Sequence, residues 1–212
     1  MTMRRLLLTL SMWWFWIVTA CAASDPEFGI RLFNDHQWAA AQQFFESFTA
    51  EHPTDAAGAF YLGRTLFERQ QYERAVEWLE KATWLDGDNS DYHLWLGRAY
   101  GYRAQRASIL WQFPLARKVR INFEKAVELN PDNIDARADL AEYYLKAPRI
   151  LGGGSEKAEA QAHEISRRNL QEGLRVWRLI AAESAEEYVQ AEREQLKRPQ
   201  EGGVAFEKNV LP

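Results

Sequence analysis

The residue types that most often carry out chemistry are scattered along this 212-residue chain. Histidine could bind a metal or transfer a proton, but the four histidines have no spacing that pairs them as ligands. A lone histidine at a helix end or on a surface is far more often structural. The sequence therefore predicts no metal site, no cofactor and no catalytic residue, and favours a protein that is not an enzyme. The histidines are His36, His52, His93 and His163.

One glycine-rich stretch invites comparison with a phosphate-binding loop. Residues 152–157 read Gly-Gly-Gly-Ser-Glu-Lys. A phosphate-binding loop follows a strand and keeps the spacing G-x-x-x-x-G-K-[ST], which aims backbone amides and the lysine at phosphates. Here a helical pattern precedes the glycines and the spacing differs. We therefore expect a flexible turn in which Ser155 caps the next helix.

The N-terminal residues predict export. Arg4 and Arg5 precede a mainly apolar run over 6–18, and small residues follow it. This order is typical of a secretory signal peptide, to which we assign residues 1–20. A retained signal anchor is an alternative, because the run lies at or below the lower length limit of a spanning helix.

The only cysteine of the chain is Cys21. It ends the sequence Val-Thr-Ala-Cys, which resembles the bacterial lipobox and implies lipidation of the Cys21 sulfur. Ala22 follows, which resembles the pattern sent to the outer membrane, so the resemblance implies an exported, periplasmic protein held as an outer-membrane lipoprotein. In the alternative, Ala20 and Ala22 form an ordinary A-x-A cleavage site and Cys21 leaves with the signal.

A 34-residue period dominates the rest of the chain. Gly29, Gly63 and Gly97 follow one another at this spacing, and Ala41 and Ala75 are separated by the same distance. Glycine costs a helix interior about 1 kcal/mol relative to alanine. A glycine that recurs on schedule therefore indicates a site where two backbones approach closely. A period of this length predicts an all-α solenoid built from helix pairs.

These positions resemble the tetratricopeptide repeat (TPR) family, whose unit carries an apolar-Gly pair, then Ala, an aromatic residue or Leu, and Ala in its second helix. The resemblance implies about four helix-turn-helix repeats. After them, helical spacing places Leu174, Trp177 and Ala181 on the packing face of a capping helix, and a degenerate fifth repeat is the alternative. The predicted domains are a signal peptide over 1–20, a TPR solenoid over 22–170 with repeats at 22–55, 56–89, 90–133 and 134–170, a capping helix over 171–197, and a flexible tail over 198–212.

Repeat three differs from the others. Phe123, Ala126 and Pro131 come ten residues later than the period requires, so we expect a ten-residue loop between its two helices. The stretch from Tyr92 to Phe123 has no acidic residue, although the whole chain has a formal net charge of -4. A basic, aromatic loop suits an acidic partner or anionic lipid head groups. In the alternative, the aromatic residues pack and the arginines are simply solvated. The stretch contains Arg98, Arg103, Arg106, Arg117, Lys118 and Arg120.

In the TPR family the first helices line a concave surface whose ligand is usually a peptide or a protein. The resemblance therefore implies a non-catalytic protein-protein interaction scaffold, here of the bacterial cell envelope, with a protein or peptide partner of acidic character. The alternative is a periplasmic accessory protein that binds a lipid or glycan in the groove. The acidity of the exported chain disfavours nucleic acid. The predicted partner-binding residues are Phe60, Arg64, Phe67 and Arg98 on the concave surface and Tyr102, Arg103, Arg106 and Trp111 in the insertion.

Overall fold

The computed structural model describes residues 25–197. Over this range the chain forms nine α-helices and one short 3-10 helix, with no β-strand. The predicted signal peptide, Cys21 and the predicted tail over 198–212 lie outside the described residues. No helix between residues 25 and 197 is long and apolar enough to cross a bilayer.

The helices follow one another as pairs, and each pair stacks on the next. The first helices of successive pairs also contact one another, so they line up along one face of the molecule. The predicted all-α helical solenoid is thereby confirmed. The pairs are α1 (Pro26–Asn34) with α2 (Trp38–Glu51), α3 (Ala56–Glu68) with α4 (Tyr72–Leu85), α5 (Ser90–Arg106) with α6 (Ile109–Leu129), and α7 (Ile134–Lys146) with α8 (Ser155–Arg168), followed by α9 (Leu170–Lys197).

A capping side chain starts the first helix of each later pair. Asp55, Asn89 and Asn133 precede α3, α5 and α7, and each accepts a hydrogen bond from a backbone N–H two or three residues later, at 2.6, 3.0 and 3.0 Å. Such caps satisfy amide groups that the first helical turn leaves without partners. The caps fix where each pair begins.

The turns inside the first two pairs share an unusual backbone conformation. His36 has φ 58° and Gln70, 34 residues later, has φ 60°. The residue after each one donates its N–H at 2.9 Å to the carbonyl oxygen of Leu32 or Leu66, which closes the end of the preceding helix. A left-handed residue after a helix end commonly supports this bond. His36 therefore occupies a structural position in the first pair.

The two helices of a pair touch where the periodic glycine lies. A Cβ atom on Gly63 would lie 2.7 Å from Cγ of Leu79, and one on Gly97 would lie 2.5 Å from Cε1 of Phe123. Both distances are far shorter than a van der Waals contact. The helices approach closely because these positions carry no side chain, and the flanking leucines then join one hydrophobic core that runs through all four pairs.

The ten additional residues of the third pair lengthen its helices, so the prediction of a loop was wrong. α5 has 17 residues and α6 has 21, whereas α3 has 13 and α4 has 14. The connection shrinks to Ala107 and Ser108. Because an α-helix rises 1.5 Å per residue, four to seven extra residues make this pair project by roughly 6–10 Å. We call the projecting part together with the next three residues of α6, residues 103–118, the tip.

The glycine-rich connection between α7 and α8 differs from the expected turn. Gly152 adopts φ 90°, and a Cβ on Gly153 would collide with the carbonyl of Ala147. Helix α8 begins at Ser155, and Gly154 holds the capping position without a side-chain hydrogen bond. The prediction that Ser155 caps this helix was therefore wrong. These glycines serve backbone geometry.

Helix α9 packs on α8 and also on α7, as α3 packs on α2 and α1. Its buried positions are Gly173, Val176 and Ile180, whereas Leu174 and Ala181 are exposed. The predicted packing face was therefore wrong by one helical position at Leu174 and Ala181, whereas the predicted Trp177 is half-buried and packs against the core. One residue separates α8 from α9, whereas four separate the earlier pairs. This short connection sets how α9 is rotated about its axis.

The helix contacts at the glycines predict opposite effects for two alanine substitutions. Gly63→Ala should destabilise the protein by about 1–3 kcal/mol, because the new methyl group would overlap Leu79. Gly101 is the matched control, since its Cβ would meet only Cγ2 of Val119 at 4.0 Å. Gly101→Ala should stabilise the protein by about 0.5–1 kcal/mol through helix propensity. Urea unfolding measures both, and equal effects would contradict the packing.

Candidate binding surfaces

The face formed by the first helices carries a stack of aromatic rings and guanidinium groups. Arg64 of α3 lies between two rings, with its Cζ 4.6 Å from the ring centroid of Phe33 and 4.0 Å from that of Trp95. The Phe60 ring also borders this guanidinium at 5.5 Å. We call this surface, lined by Phe33, Arg64, Trp95, Arg98 and Asp139, the inner face. Three successive helix pairs contribute to the environment of Arg64.

The Arg64 charge has no direct ion pair among the described residues, although Glu68 and Asp91 attract it from a longer distance. Its Nε is buried and has no hydrogen-bond partner, and its guanidinium forms no ion pair within residues 25–197. Burial lowers the pKa of Arg64 below its ordinary value, and an arginine nevertheless stays protonated at neutral pH. Cation–π contacts compensate part of the lost hydration. The position is suited to an anionic group from outside the chain.

Arg98 contacts the other side of the same indole but is neutralised internally. Its Cζ lies 4.7 Å from the Trp95 ring centroid, and its Nε donates to Oδ2 of Asp139 at 2.5 Å. A second carboxylate, Asp135, lies 3.7 Å from its Nη2. Burial raises the pKa of Asp139, and the hydrogen bond from Arg98 opposes this effect. The two arginines predicted to flank an apolar groove therefore differ, because only Arg98 has its own carboxylates.

Phe60 packs next to Arg64, and Phe67 packs against Trp95. Phe60 is buried and stacks on Tyr92 with ring centroids 4.6 Å apart. Phe67 is half-buried and meets the Trp95 ring edge-on at 5.5 Å. Neither ring leaves much surface for a ligand, so their role is to position Arg64 and Trp95.

An aromatic chain connects the inner face with the tip. Phe67 contacts Tyr102 at 5.1 Å, and Tyr102 stacks on Tyr72 at 5.0 Å. Cζ of Arg106 lies 4.7 Å from the same Tyr72 ring. These contacts fix the end of α5 against the second helix pair, so the tip is positioned by packing.

The remaining predicted site residues border a cleft at the tip. The cleft has a volume of about 390 Å³. Trp111 is 65% exposed at its edge, and Arg103 and Arg106 line it together with the carboxylate of Glu73. The other lining residues are Ala107, Ser108, Pro114, Leu115 and Lys118.

The basic residues of the acid-free stretch fall into two groups. Arg98, Lys118 and Arg120 are paired with Asp139, Glu80 and Glu124 respectively. Within the described part of the chain, Arg103, Arg106 and Arg117 form no ion pair. These three lie on the tip. The acid-free stretch of the sequence is therefore partly neutralised by carboxylates from elsewhere, and the excess charge is confined to the tip.

The histidines lie apart from both surfaces and have packing or turn environments. His93 hydrogen-bonds Asn122 and the Gly87 carbonyl, each at 3.0 Å, and His163 packs edge-on against Trp177. Between residues 25 and 197 no three His, Cys, Asp or Glu side chains are arranged to hold a metal ion.

Sequence analysis missed Phe33, Trp95 and Asp139 as members of the inner face. A signal existed, because Trp95 and Asp139 each precede the Leu of the apolar pair in their repeat and are 44 residues apart, the period plus the insertion. In the TPR family, the helix positions that line the concave surface do not include the one held by Trp95 and Asp139. This position contributes to the inner face here because of the side chains that occupy it.

The comparisons with known proteins agree with this geometry. The family model for the TPR repeat matches residues 63–101. The solved structure of TTC0263, a thermophilic TPR protein of Thermus thermophilus, aligns with a TM-score of 0.57 at 17% identity, covering 79% of this chain and 93% of that one. The fold is that of a TPR solenoid.

Two further solved structures are similar at low sequence identity. MamA from Desulfovibrio magneticus RS-1 aligns with a TM-score of 0.56 at 20% identity, covering 70% of this chain and 77% of that one. YrrB, described as a TPR protein with an unusual peptide-binding site, aligns with a TM-score of 0.54 at 15% identity over 80% of this chain and 89% of its own. No curated protein gives a significant sequence match.

The two arginines of the inner face should respond differently to replacement by methionine. Arg64→Met should change the free energy of unfolding by less than about 1 kcal/mol, because the lost cation–π contacts are offset by relief of charge burial. Arg98→Met should cost about 1–3 kcal/mol, since it leaves the Asp139 carboxylate half-buried without its donor. Urea unfolding of both variants makes the comparison, and a larger loss at Arg64 would contradict its description as an unpaired charge.

Proposed function

We propose that this protein is a non-catalytic interaction scaffold of the bacterial cell envelope, and that its inner face binds an acidic segment of a partner protein. The observation that carries the proposal is the Arg64 guanidinium, which is stacked between Phe33 and Trp95 and forms no ion pair among the described residues. A carboxylate of the partner would supply the missing counterion through a charge-assisted hydrogen bond.

The geometry favours an extended peptide over a compact ligand. The inner face runs across four helix pairs, and the side chains that line it come from α1, α3, α5 and α7. A solenoid of this kind offers a long surface without an enclosed reaction pocket. The YrrB structure supports the proposal by analogy, since its description names a peptide-binding site on a similar fold.

The two arginines make the charge of the inner face differ from one end to the other. Both guanidinium groups contact the Trp95 ring, yet Arg64 is unpaired and Arg98 already holds Asp139. A peptide carboxylate therefore gains most at Arg64, while Asp135 and Asp139 repel further acidic residues toward the fourth pair. An acidic residue at one end of the bound segment, followed by apolar or basic residues, matches this charge order.

Affinity capture from solubilised bacterial envelopes tests the proposal. Wild-type protein should retain one stoichiometric partner, and Arg64→Met should lose it because the carboxylate then has no cation to meet. Arg69→Met is the matched control, since Arg69 is an exposed arginine next to the same helix and forms no ion pair among the described residues. Partner loss with both variants, or with neither, would reject Arg64 as the contact.

A second outcome separates the alternative function. Recovery of a lipid or glycan with no stoichiometric protein would favour an accessory protein that binds such a ligand. The cleft of about 390 Å³ lies at the tip, whereas that alternative places its ligand in the groove. The inner face is filled by stacked side chains, so the acidic protein segment is the better match.

The envelope location rests on the sequence of residues 1–21, and we propose that Cys21 carries a lipid. Cys21→Ser should move the exported protein from the membrane fraction to the soluble fraction, because a thioether cannot form on a hydroxyl group. Fractionation with the wild type as control makes the measurement. A wild-type protein that is already soluble and begins after Cys21 would contradict the proposal and favour ordinary cleavage.

A further inference from the structure

We propose that the tip docks on the surface of an anionic phospholipid bilayer, with the first turn of α6 entering the boundary between head groups and acyl chains. This surface is distinct from the inner face, so a partner segment and a membrane can be bound together. The inference rests on apolar exposure, charge and shape at residues 103–118.

The start of α6 is apolar over more than half of its circumference. Ile109, Leu110, Trp111 and Phe113 are all exposed. Successive helical residues are about 100° apart, so these four side chains spread over about 200° around the axis. The exposed polar residue Gln112 occupies the remaining side. A protein partner that reads a helix uses one stripe of side chains. An apolar surface this wide is instead suited to a protein core or to the boundary of a bilayer, and here no core covers it.

Unpaired cations surround this apolar turn. Arg103 and Arg106 lie in the last turn of α5, and Arg117 lies further along α6. None forms an ion pair within residues 25–197, and the nearby carboxylate is that of Glu73, which lines the cleft. Clustered arginine next to exposed tryptophan and phenylalanine is the composition of peripheral membrane anchors, because arginine attracts anionic lipids while aromatic rings enter the interface.

The dimensions and backbone limit how deep the tip can lie. The third pair projects by roughly 6–10 Å, which matches the depth of about 5–10 Å reached by interfacial helices. Pro114 lies inside α6 and has no N–H to donate to the carbonyl of Leu110. A carbonyl without an intrahelical partner is costly in hydrocarbon but is solvated among head groups. The tip therefore docks at the interface and does not span the bilayer.

A local probe tests docking without interference from residues 1–20. In the full-length Cys21→Ser protein, Leu110→Cys carries an environment-sensitive dye, and Ile150→Cys is the control because Leu110 is 83% and Ile150 is 84% exposed. Vesicles of phosphatidylcholine with one third phosphatidylglycerol should raise the dye emission at residue 110 and leave it unchanged at residue 150. Spin-labelled lipid should quench only the probe at residue 110.

Charge reversal tests the lipid class. Arg103→Glu with Arg106→Glu should weaken the response of the tip probe by at least about tenfold in vesicle concentration, because each basic residue near an anionic surface contributes roughly a fivefold effect. Arg69→Glu with Arg149→Glu makes the same change in net charge at exposed arginines elsewhere, and should have a much smaller effect. Pure phosphatidylcholine vesicles should give little response.

Removal of the aromatic contact provides an independent readout. Trp111→Ala should weaken the response several-fold, whereas Trp84→Ala, at an 81% exposed tryptophan of α4, should not. Circular dichroism verifies that each variant keeps its helicity.

Three results would overturn the proposal. The first is a tip probe that stays in water on anionic vesicles. The second is an equal response at residues 110 and 150. The third is a tip probe that responds to a polyglutamate peptide and not to vesicles, which would assign the tip to an acidic protein.

Discussion

The close contact between the two helices of each pair is the constraint on which the rest of this structure depends. At Gly63 and Gly97 the first helix lacks a side chain, and Leu79 or Phe123 of the second helix occupies that space. This contact fixes the distance and rotation of the helices in a pair, and the caps at Asp55, Asn89 and Asn133 then fix where the next pair begins. As a result the first helices line up in register. Arg64 of the second pair can therefore lie between a ring of the first pair and a ring of the third pair.

The third helix pair shows how one repeat acquires a new surface without disturbing the stack. Its ten extra residues continue α5 and α6 outward, while Gly97 and Phe123 keep their contact. The left-handed turn found at His36 and Gln70 is replaced by the extended residues Ala107 and Ser108. Tyr102 then packs on Tyr72 of the neighbouring pair, so the projection is anchored by an aromatic chain that begins at the inner face. The positions of the inner face and of the tip thus depend on one continuous set of contacts.

The 34-residue glycine spacing was enough to predict the all-α solenoid, because a close helix contact leaves a direct mark in the sequence. The stack around Arg64 was predicted only in part, since Trp95 and Asp139 occupy a phase that the family pattern does not assign to binding. The helical extension of the third pair was missed because extra residues between two helices read equally well as loop or helix. The predicted rotation of α9 was wrong by one position because a stripe of side chains through Leu174 and a neighbouring stripe through Val176 are both amphipathic. The approach of Gly173 to Ser166 and the short connection at Asn169 decide between them.

The length of the third helix pair has a kinetic consequence. Helices in this chain contact mainly their neighbours in sequence, so the mean sequence separation of contacting residues is small and folding should be fast. Helices α5 and α6 form the most extensive of these local contacts. A unit rich in local contacts is the natural nucleus of a repeat protein, from which structure spreads to both ends. Changes at Gly97 or Phe123 should then slow folding, whereas changes between pairs, such as those around Arg64, should mainly accelerate unfolding.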